Sequence, residues 1–552
     1  MPAITFDDFS GGLDRRLDIK VQDASRLWTL RNAFVTLGRR IRKRPGLKLE
    51  AAGLTGSYGL ESISGRLKVF VDRGAGFAPP ALVDAIALDS APSASGSPLH
   101  RIHYADTYQA YPYVVAEYAN GAIAHHYVDS TPSTVTITVA VPGVVSWTAH
   151  GLENGREVIL STTGALPTGL TAGTTYYVVS ASTNSFSLAA TKGGAAIDTT
   201  GTQSGVHTAT APTYITDVNC PNSISVTKAA SRIFAIGGEV VRFCAVGKPR
   251  DWTTASDAGF LAASLQQDTK SSTTAVGTFQ DALVVFFSEG AQIWNVAVDP
   301  ASNSISKRIY GVGSEAPLSM ASFSTDLVFL SPFGFRSMAV QAISYRIDDN
   351  DVGVPIDSMV RPDIATAAGQ PDPEQPYGIW IHQLGQYWCV FDQGATSKAW
   401  VYTFSKTSKI ACWSEYTFPF LVKNISTLNG KVYLRTVDEL YSFDADLFTD
   451  DGDLIDVEVQ MAYQSAKTPG ISKQVFGADF VLQGSASVSY KYDPRDQTKE
   501  SIPQTITSDT RPGDLVPVDI VSPAIAPVFR HSLDEAFEID AVTLYYYPLG
   551  PM

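Results

Sequence analysis

Arg232-Ile-Phe-Ala-Ile236, Gly237-Gly238, Glu239-Val-Val-Arg-Phe243 is the stretch that decides the fold. Two β-branched and aromatic runs flank a Gly-Gly pair, and such a pair closes a tight hairpin because both turn residues take positive φ. The unit recurs along the chain. Tyr113–Tyr118 is joined by Asn120-Gly121 to Ala122–Tyr127, Ala282–Phe287 runs through Gly290 to Ala291–Val296, and Leu327–Leu330 runs through Gly334 to Phe335–Val340. Leu67–Val71 before Gly74, Tyr387–Phe391 through Gly394 to Ala399–Phe404, and Lys431–Leu434 to Glu439–Phe443 complete the set.

The first runs begin at residues 67, 113, 232, 282, 327, 387 and 431, with gaps of 46, 119, 50, 45, 60 and 44. Most of these match the period of propeller blades, about 40–50 residues. A lone hairpin cannot bury its own face, so repeated hairpins must stack, and radial stacking leaves only short edges. The expected fold is all-β: a β-propeller of six or seven blades with an inserted small β-domain and a terminal β-sandwich platform. An irregular pair of sandwiches is the alternative.

The long gap marks an insertion. Removing residues 131–212 shortens 119 to 37, and that interval carries only Arg156, Lys192, Glu153, Glu157 and Asp198 as charges amid Thr, Gly, Ala and Ser. It resembles a small all-β accessory module inserted into phage tail and adhesin proteins, although ordinary strand propensity also accounts for the Thr and Ser content. The expected organisation is an N-terminal docking segment (1–50), propeller (51–130), inserted module (131–212), propeller (213–450) and C-terminal sandwich (451–552). The cluster Asp444, Asp446, Asp450, Asp451 and Asp453 lacks the ladder spacing of a calcium loop and reads as a polar hinge.

Charge is unevenly distributed. The first fifty residues hold eleven basic and six acidic side chains, a surplus of five, while the whole chain is −14 and the remainder therefore −19. The same segment carries Phe6, Phe9, Gly11-Gly12, Trp28, Leu30-Arg31-Asn32-Ala33 and Arg42-Lys43-Arg44-Pro45-Gly46. An aromatic element ending in Gly-Gly, a Leu-x-Asn-Ala segment and a basic Arg-Pro-Gly turn resemble the N-terminus of the tail nozzle proteins of short-tailed bacteriophages, the tail tubular protein B class.

That resemblance implies a structural virion protein: a ring-shaped nozzle, a homohexamer, below the portal-adaptor, conducting DNA at ejection. Its partners would be copies of itself, the head-to-tail adaptor ring, tail fibres or spikes, and genomic DNA passing without sequence-specific contact. Chain ends in that family belong to the platform that meets the adaptor. Phe6, Phe9, Gly11, Gly12, Trp28, Arg42, Lys43 and Arg44 are the expected assembly interface, since aromatics and Arg carry interface energy. An acidic lining would let phosphates slide where a basic one would hold them. The rival reading is a receptor-binding or glycan-cleaving propeller spike.

No enzyme, cofactor or metal is expected. His100, His103, His125, His126, His150, His207, His382 and His531 form no zinc spacing. His125-His126 sits in a strand, where neighbours point to opposite faces. No nucleophile elbow, phosphate loop or dinucleotide fingerprint is present; paired carboxylates on distant strands would leave no local motif. Cys220, Cys244, Cys389 and Cys412 make no CxxC pair and read as buried thiols of a protein assembled in a reducing cytoplasm before it joins the virion tail. No apolar run reaches the ~18 residues of a membrane span, and the N-terminus has no apolar h-region of a secretion signal.

Overall fold

The structure is a computed structural model describing residues 2–551 except 21, 267–271, 324, 344–350, 508 and 511–514. Seven small antiparallel-based sheets follow one another around an axis. Blade 1 is Tyr58–Ile63, Arg66–Asp72 and Val83–Leu88; blade 2 is Leu99–Tyr108, Tyr111–Tyr118 and Ile123–Tyr127. Blade 3 is Val226–Ala229, Arg232–Gly237, Val240–Phe243 and Gly259–Leu261; blade 4 is Ala275–Phe279, Ala282–Phe287, Gly290–Asn295 and Ser304–Tyr310. Blade 5 is Ala321–Phe323, Asp326–Ser331 and Gly334–Ser337, followed by helices Met338–Ile343 and Asp357–Ala368 where a fourth strand would lie. Blade 6 is Tyr377–Ile381, Gln386–Asp392, Ser397–Ser405 and Ile410–Phe418; blade 7 is Asn424–Leu428, Lys431–Arg435 and Glu439–Asp444. Every repeat start falls in the second strand of its own blade.

The apolar runs are continuous because both faces of each blade are covered. In Ala282–Phe287, side chains alternate with the strand period of two. Val284 and Phe286 enter the core shared with blade 5, while Leu283, Val285 and Phe287 enter the core shared with blade 3. Phe286 meets Phe329 of blade 5 with ring centroids 4.8 Å apart. Burying each such side chain contributes about 1.5–3 kcal/mol; an apolar core lies between each pair of neighbouring blades, the one between blades 5 and 6 continuing into the platform.

The ring closes with a strand from the far end of the chain. Gly46–Ala52 pairs antiparallel with Glu439–Asp444 and completes blade 7. A boundary at residue 50 therefore cuts through a propeller strand, and the N-terminal fifty residues are no separate segment.

Residues 133–210 form a closed six-stranded barrel with its own core around Trp147, Val158, Leu160, Phe186 and Leu188. It leaves and re-enters at neighbouring points of blade 2. After Ile123–Tyr127 the chain makes the barrel, then returns so that the Tyr127 amide donates to the Thr213 carbonyl at 2.8 Å and the Ile215 amide to the His125 carbonyl at 2.8 Å. The insertion thus sits in what would be the turn between the third strand and its outer partner, and the pairing of blade 2 is preserved.

The platform is a sandwich. One layer holds Ala33–Val35, Ile41–Lys43, Glu538–Pro551, Ile471–Gln483 and Val516–Ser522, with Ala3–Phe6 beside Glu538–Pro551. The other is part of a ten-stranded sheet: the four strands of blade 6 continue through Gly12–Leu13, Arg26–Arg31, Val457–Met461, Ala526–His531, Ala486–Lys491 and Gln504–Ile506. Propeller and platform therefore share one hydrogen-bonded ladder.

Candidate functional site

The N-terminal motifs converge on the place where blade 6 runs into the platform. Gly12-Leu13 is wedged between Arg26–Arg31, to which it is parallel, and Trp413 of blade 6. Gly12 has φ +52°, and a Cβ there would lie 2.4 Å from the Cys412 Cβ, so this crossing requires a residue without a side chain. Asn32 also takes positive φ, 52°, a conformation its short polar side chain tolerates. Its Nδ2 donates to Thr417 Oγ1 and to the Asp456 carbonyl, both at 2.8 Å, and its Oδ1 accepts from the Thr417 amide at 2.8 Å. One side chain thus pins blade 6 to the chain leading into the platform.

Arg44 is the centre of this joint and only 1% exposed. Its two terminal nitrogens grip Asp450 at 2.8 and 2.5 Å. The remaining donors reach the Thr417 carbonyl at 2.9 Å, the Pro45 carbonyl at 3.0 Å and Asn32 Oδ1 at 3.2 Å. All five guanidinium N–H groups are used. Gly46 follows directly, where a Cβ would stand 2.2 Å from the Thr449 carbonyl oxygen. Asp450 is therefore a buried partner, and the reading of the whole acidic cluster as a polar hinge does not hold for it.

The expected interface residues lie largely inside the chain. Phe6 and Phe9 are fully buried in the platform core. Trp28 is partly buried, with the Arg15 guanidinium 3.9 Å over its ring. Gly11 is pressed against Ser25 and Arg26. Lys43 is buried, donating to the Leu533 carbonyl at 2.7 Å beside His531; burial, then the Arg44 charge, lowers its ammonium to about 8. Among the eight, Arg42 alone has an exposed charged side chain, and it is paired with Glu538 at 2.6 Å.

The reason is electrostatic. Glu415, Glu458, Asp450, Glu538 and Asp540, all from beyond residue 50, pair with Arg31, Arg44, Arg40 and Arg42. Four arginines of the segment are thus paired with carboxylates from elsewhere in the chain. Composition registers the surplus; the fold shows that much of it is engaged within the chain.

A second candidate lies on the propeller axis. The first strands of all seven blades, or the residues leading into them, line a cavity of about 390 Å³ that holds Glu61, His103, Tyr104, Asp106 and Tyr377. It adjoins a second cavity of about 280 Å³ whose rim carries an ion-pair network. There Arg101 meets Asp372 at 2.7 Å and Glu374 at 3.2 Å, Lys423 meets Glu374 at 2.5 Å, and His103 Nε2 lies 2.6 Å from Glu117. The described carboxylates at this rim are each engaged by a basic side chain. Glu61 stands apart, and no local sequence signal distinguishes it.

His125 and His126 face opposite sides of their strand. His125 bonds the Tyr113 hydroxyl at 2.7 Å and the Ser223 carbonyl at 2.8 Å; His126 bonds the Tyr118 and Thr213 hydroxyls, both at 3.0 Å. Burial lowers them to about 4 and about 3. Cys244, Cys389 and Cys412 are buried, which pushes each thiol up to about 12; Cys220 is partly buried. Among the described residues no group of three or more His, Cys, Asp or Glu is placed to hold a metal.

The barrel root is a third ionic joint. Arg250 of the propeller gathers both chain crossings, donating to Asp129 at 2.9 Å, to the Tyr214 carbonyl at 2.8 Å and to the Tyr127 carbonyl. Arg156 of the barrel joins it through Asp129 at 3.3 Å and the Pro212 carbonyl at 2.6 Å.

No protein-family model matches the sequence, and no curated protein matches it. Among solved structures the chain is similar to the phage phi92 endosialidase, with 12% identity over 72% of this chain and 68% of that one and a TM-score of 0.23. It is also similar to the Neurospora crassa Pan2 WD40 domain, with 10% identity over 64% and 91% and a TM-score of 0.28. Hsv2 of Kluyvelomyces marxianus matches at 7% identity over 57% and 96%, with a TM-score of 0.22. With scores this low, the assignment of seven blades rests on the sheet topology itself.

Proposed function

We propose that the chain is a structural virion protein, one subunit of a six-fold tail nozzle ring below the portal-adaptor of a short-tailed phage. The observation that carries this reading is the convergence of Gly12, Asn32, Arg44 and Gly46, drawn from three motifs that resemble the nozzle signature, on one joint between propeller and platform. Residues that set the relation between two parts are what a signature of an architecture should contain. Two further features agree with it. The axial cavity of about 390 Å³ has the size of a small-molecule site, so a DNA conduit would run between copies and not through a propeller. The acidic bulk of the chain disfavours retention of phosphate along such a path.

The test uses phage particles that carry the adaptor but lack the nozzle. Incubated with the purified chain, they should gain a six-fold collar in class averages of negatively stained images. Absence of attachment, or a three-fold spike in place of a collar, would overturn the proposal and favour the receptor-binding reading.

A further inference from the structure

We propose that the axial cavity of the propeller binds a small organic cation bearing a primary ammonium group, with Glu61 as its counter-charge. The cavity is bounded by edges from all seven blades and contains two carboxylates, Glu61 and Asp106. Asp106 has a cation, the Lys228 ammonium. Glu61 has none among the described residues: its Oε1 accepts from the Ser62 amide at 2.9 Å. The lysine opposite it on the next strand, Lys68, is held by Asp84 at 2.6 Å. Both nearby lysines are thus ion-paired to aspartates, and one carboxylate is left lining the cavity without an ion-pair partner among the described residues.

A second polar group points the same way. His103, 6% exposed, lines the cavity with Nε2 on Glu117 and with Nδ1 lacking any hydrogen-bond partner. Loss of water pushes the Glu61 carboxyl up to about 7; the Asp106 charge adds to this, while the Ser62 amide, the Ser426 hydroxyl and Lys228 oppose it. Burial without a close counter-ion disfavours the charged carboxylate, and a bound cation would supply the missing positive charge. The remaining titratable groups on the cavity wall, Tyr104 and Tyr377, are neutral phenols, pushed up by burial.

The lining selects the class of cation. Metal ligation needs several convergent His, Cys or carboxylate ligands, and no such group occurs among the described residues. An ammonium instead needs one carboxylate and neutral acceptors for its three N–H groups; Asn424 and the Tyr104 and Tyr377 hydroxyls line the same space, and aromatic faces attract an ammonium. This inference does not depend on the tail reading.

The experiment is isothermal titration of the full chain with n-butylammonium chloride and with putrescine, using 1-butanol as the neutral probe. The amines should bind and butanol should not. Affinity should be higher at pH 8 than at pH 6, and near pH 6.5 the heat should vary with the buffer's ionisation enthalpy, because binding expels the Glu61 proton. Glu61→Gln should weaken binding by about tenfold or more, whereas Glu61→Asp should retain part of it. Absence of amine binding at both pH values, equal binding of butanol, no proton release, or wild-type affinity in a folded Glu61→Gln variant would each overturn the proposal. The proton-release measurement needs no variant, so it stands even if a substitution disturbs folding.

Discussion

Replacing Asp450 by Asn tests the joint at its centre. The carboxylate and the Arg44 guanidinium are 5% and 1% exposed as side chains, so neither is stabilised by water. The amide keeps the shape but removes the charge, and it turns an N–H₂ group or a weaker acceptor toward donors already spaced for two oxygens. Removing one partner of a buried pair costs about 3–5 kcal/mol. Arg44 keeps three neutral acceptors, on Thr417, Pro45 and Asn32, which argues for the lower end, about 3 kcal/mol. At about 2.1 cal/mol/K per residue, a unit as large as the propeller with its platform shifts by about 1 °C per kcal/mol, giving a fall of roughly 3 °C. A chain with separate cores need not unfold in one step, so calorimetry should resolve the transitions. The joint transition should fall while the barrel, which has its own core, melts unchanged. Hydrogen exchange should accelerate at Arg31–Gly46 and Thr449–Asp456. The double variant Arg44→Met/Asp450→Leu strands no buried charge, although it leaves the Thr417 and Pro45 carbonyls without these donors, so its loss should be smaller than the two single losses combined. An Asp450→Asn protein melting within about 1 °C of wild type, or a double variant as weak as the two single losses combined, would refute the reasoning.

Three other outcomes follow from the geometry. Gly12→Ala should destabilise by about 1–3 kcal/mol, from its positive φ and the Cys412 clash, whereas Gly53→Ala, with φ +86° and open space around it, should cost less; equal melting points for the two would remove the steric argument. Deleting residues 131–212 and joining the ends with a short Gly-Ser linker should leave a soluble propeller with an unchanged joint transition, since loop closure changes by only about 0.6 kcal/mol per doubling of length; insoluble protein would count against an independent module. His125 and His126, held by burial at about 4 and about 3, lie below their ordinary value, so the unfolded chain binds protons first. Their contribution is complete above about pH 6.5 and is lost as pH falls toward 4. The His125→Gln/His126→Gln variant should be less stable at pH 7.5 but show a flatter loss between pH 6.5 and 4; a slope as steep as wild type would assign the acid limb to other groups.

The blades were legible because a strand buried on both faces writes itself as an unbroken apolar run, and Ala282–Phe287 does so with a glycine at its turn. Their order is local, and regular spacing reports it. Ring closure is another matter. Gly46–Ala52 carries Lys48 and Glu50 on an outer strand and finds its partner near residue 440, so no period announces it. The continuation of blade 6 into the platform is equally silent, since Leu13 and Trp413 pair across four hundred residues. Glu61 is one acid in a strand until the fold places Lys68 on Asp84 and Lys228 on Asp106.

Much of the N-terminal charge is engaged within the chain, for a reason that extends to other junctions. At junctions the backbone leaves its ladders, and carbonyls there still require donors. A guanidinium offers five in a fixed fork, and this chain uses buried arginines in that role. Arg435 ties blade 7 to the strand entry of blade 1 through the carbonyls of Gly59 at 2.5 Å and Ser57. Arg232 joins blade 3 to the loop between the third and fourth strands of blade 4, through the carbonyls of Cys244 at 2.8 Å and Val298 at 2.6 Å. Arg336 holds the helix that replaces a strand in blade 5, gripping Asp357 with two bonds of 2.8 Å. Arg44 and Arg250 do the same at the platform and at the barrel root. Regular blade contacts are apolar and repeat; several of the irregular contacts between blades, sandwich and barrel centre on a single arginine that donates to backbone carbonyls or carboxylates. A count of basic residues cannot separate an arginine that satisfies carbonyls from one that awaits a partner, because the difference lies in which backbone groups the fold leaves unpaired.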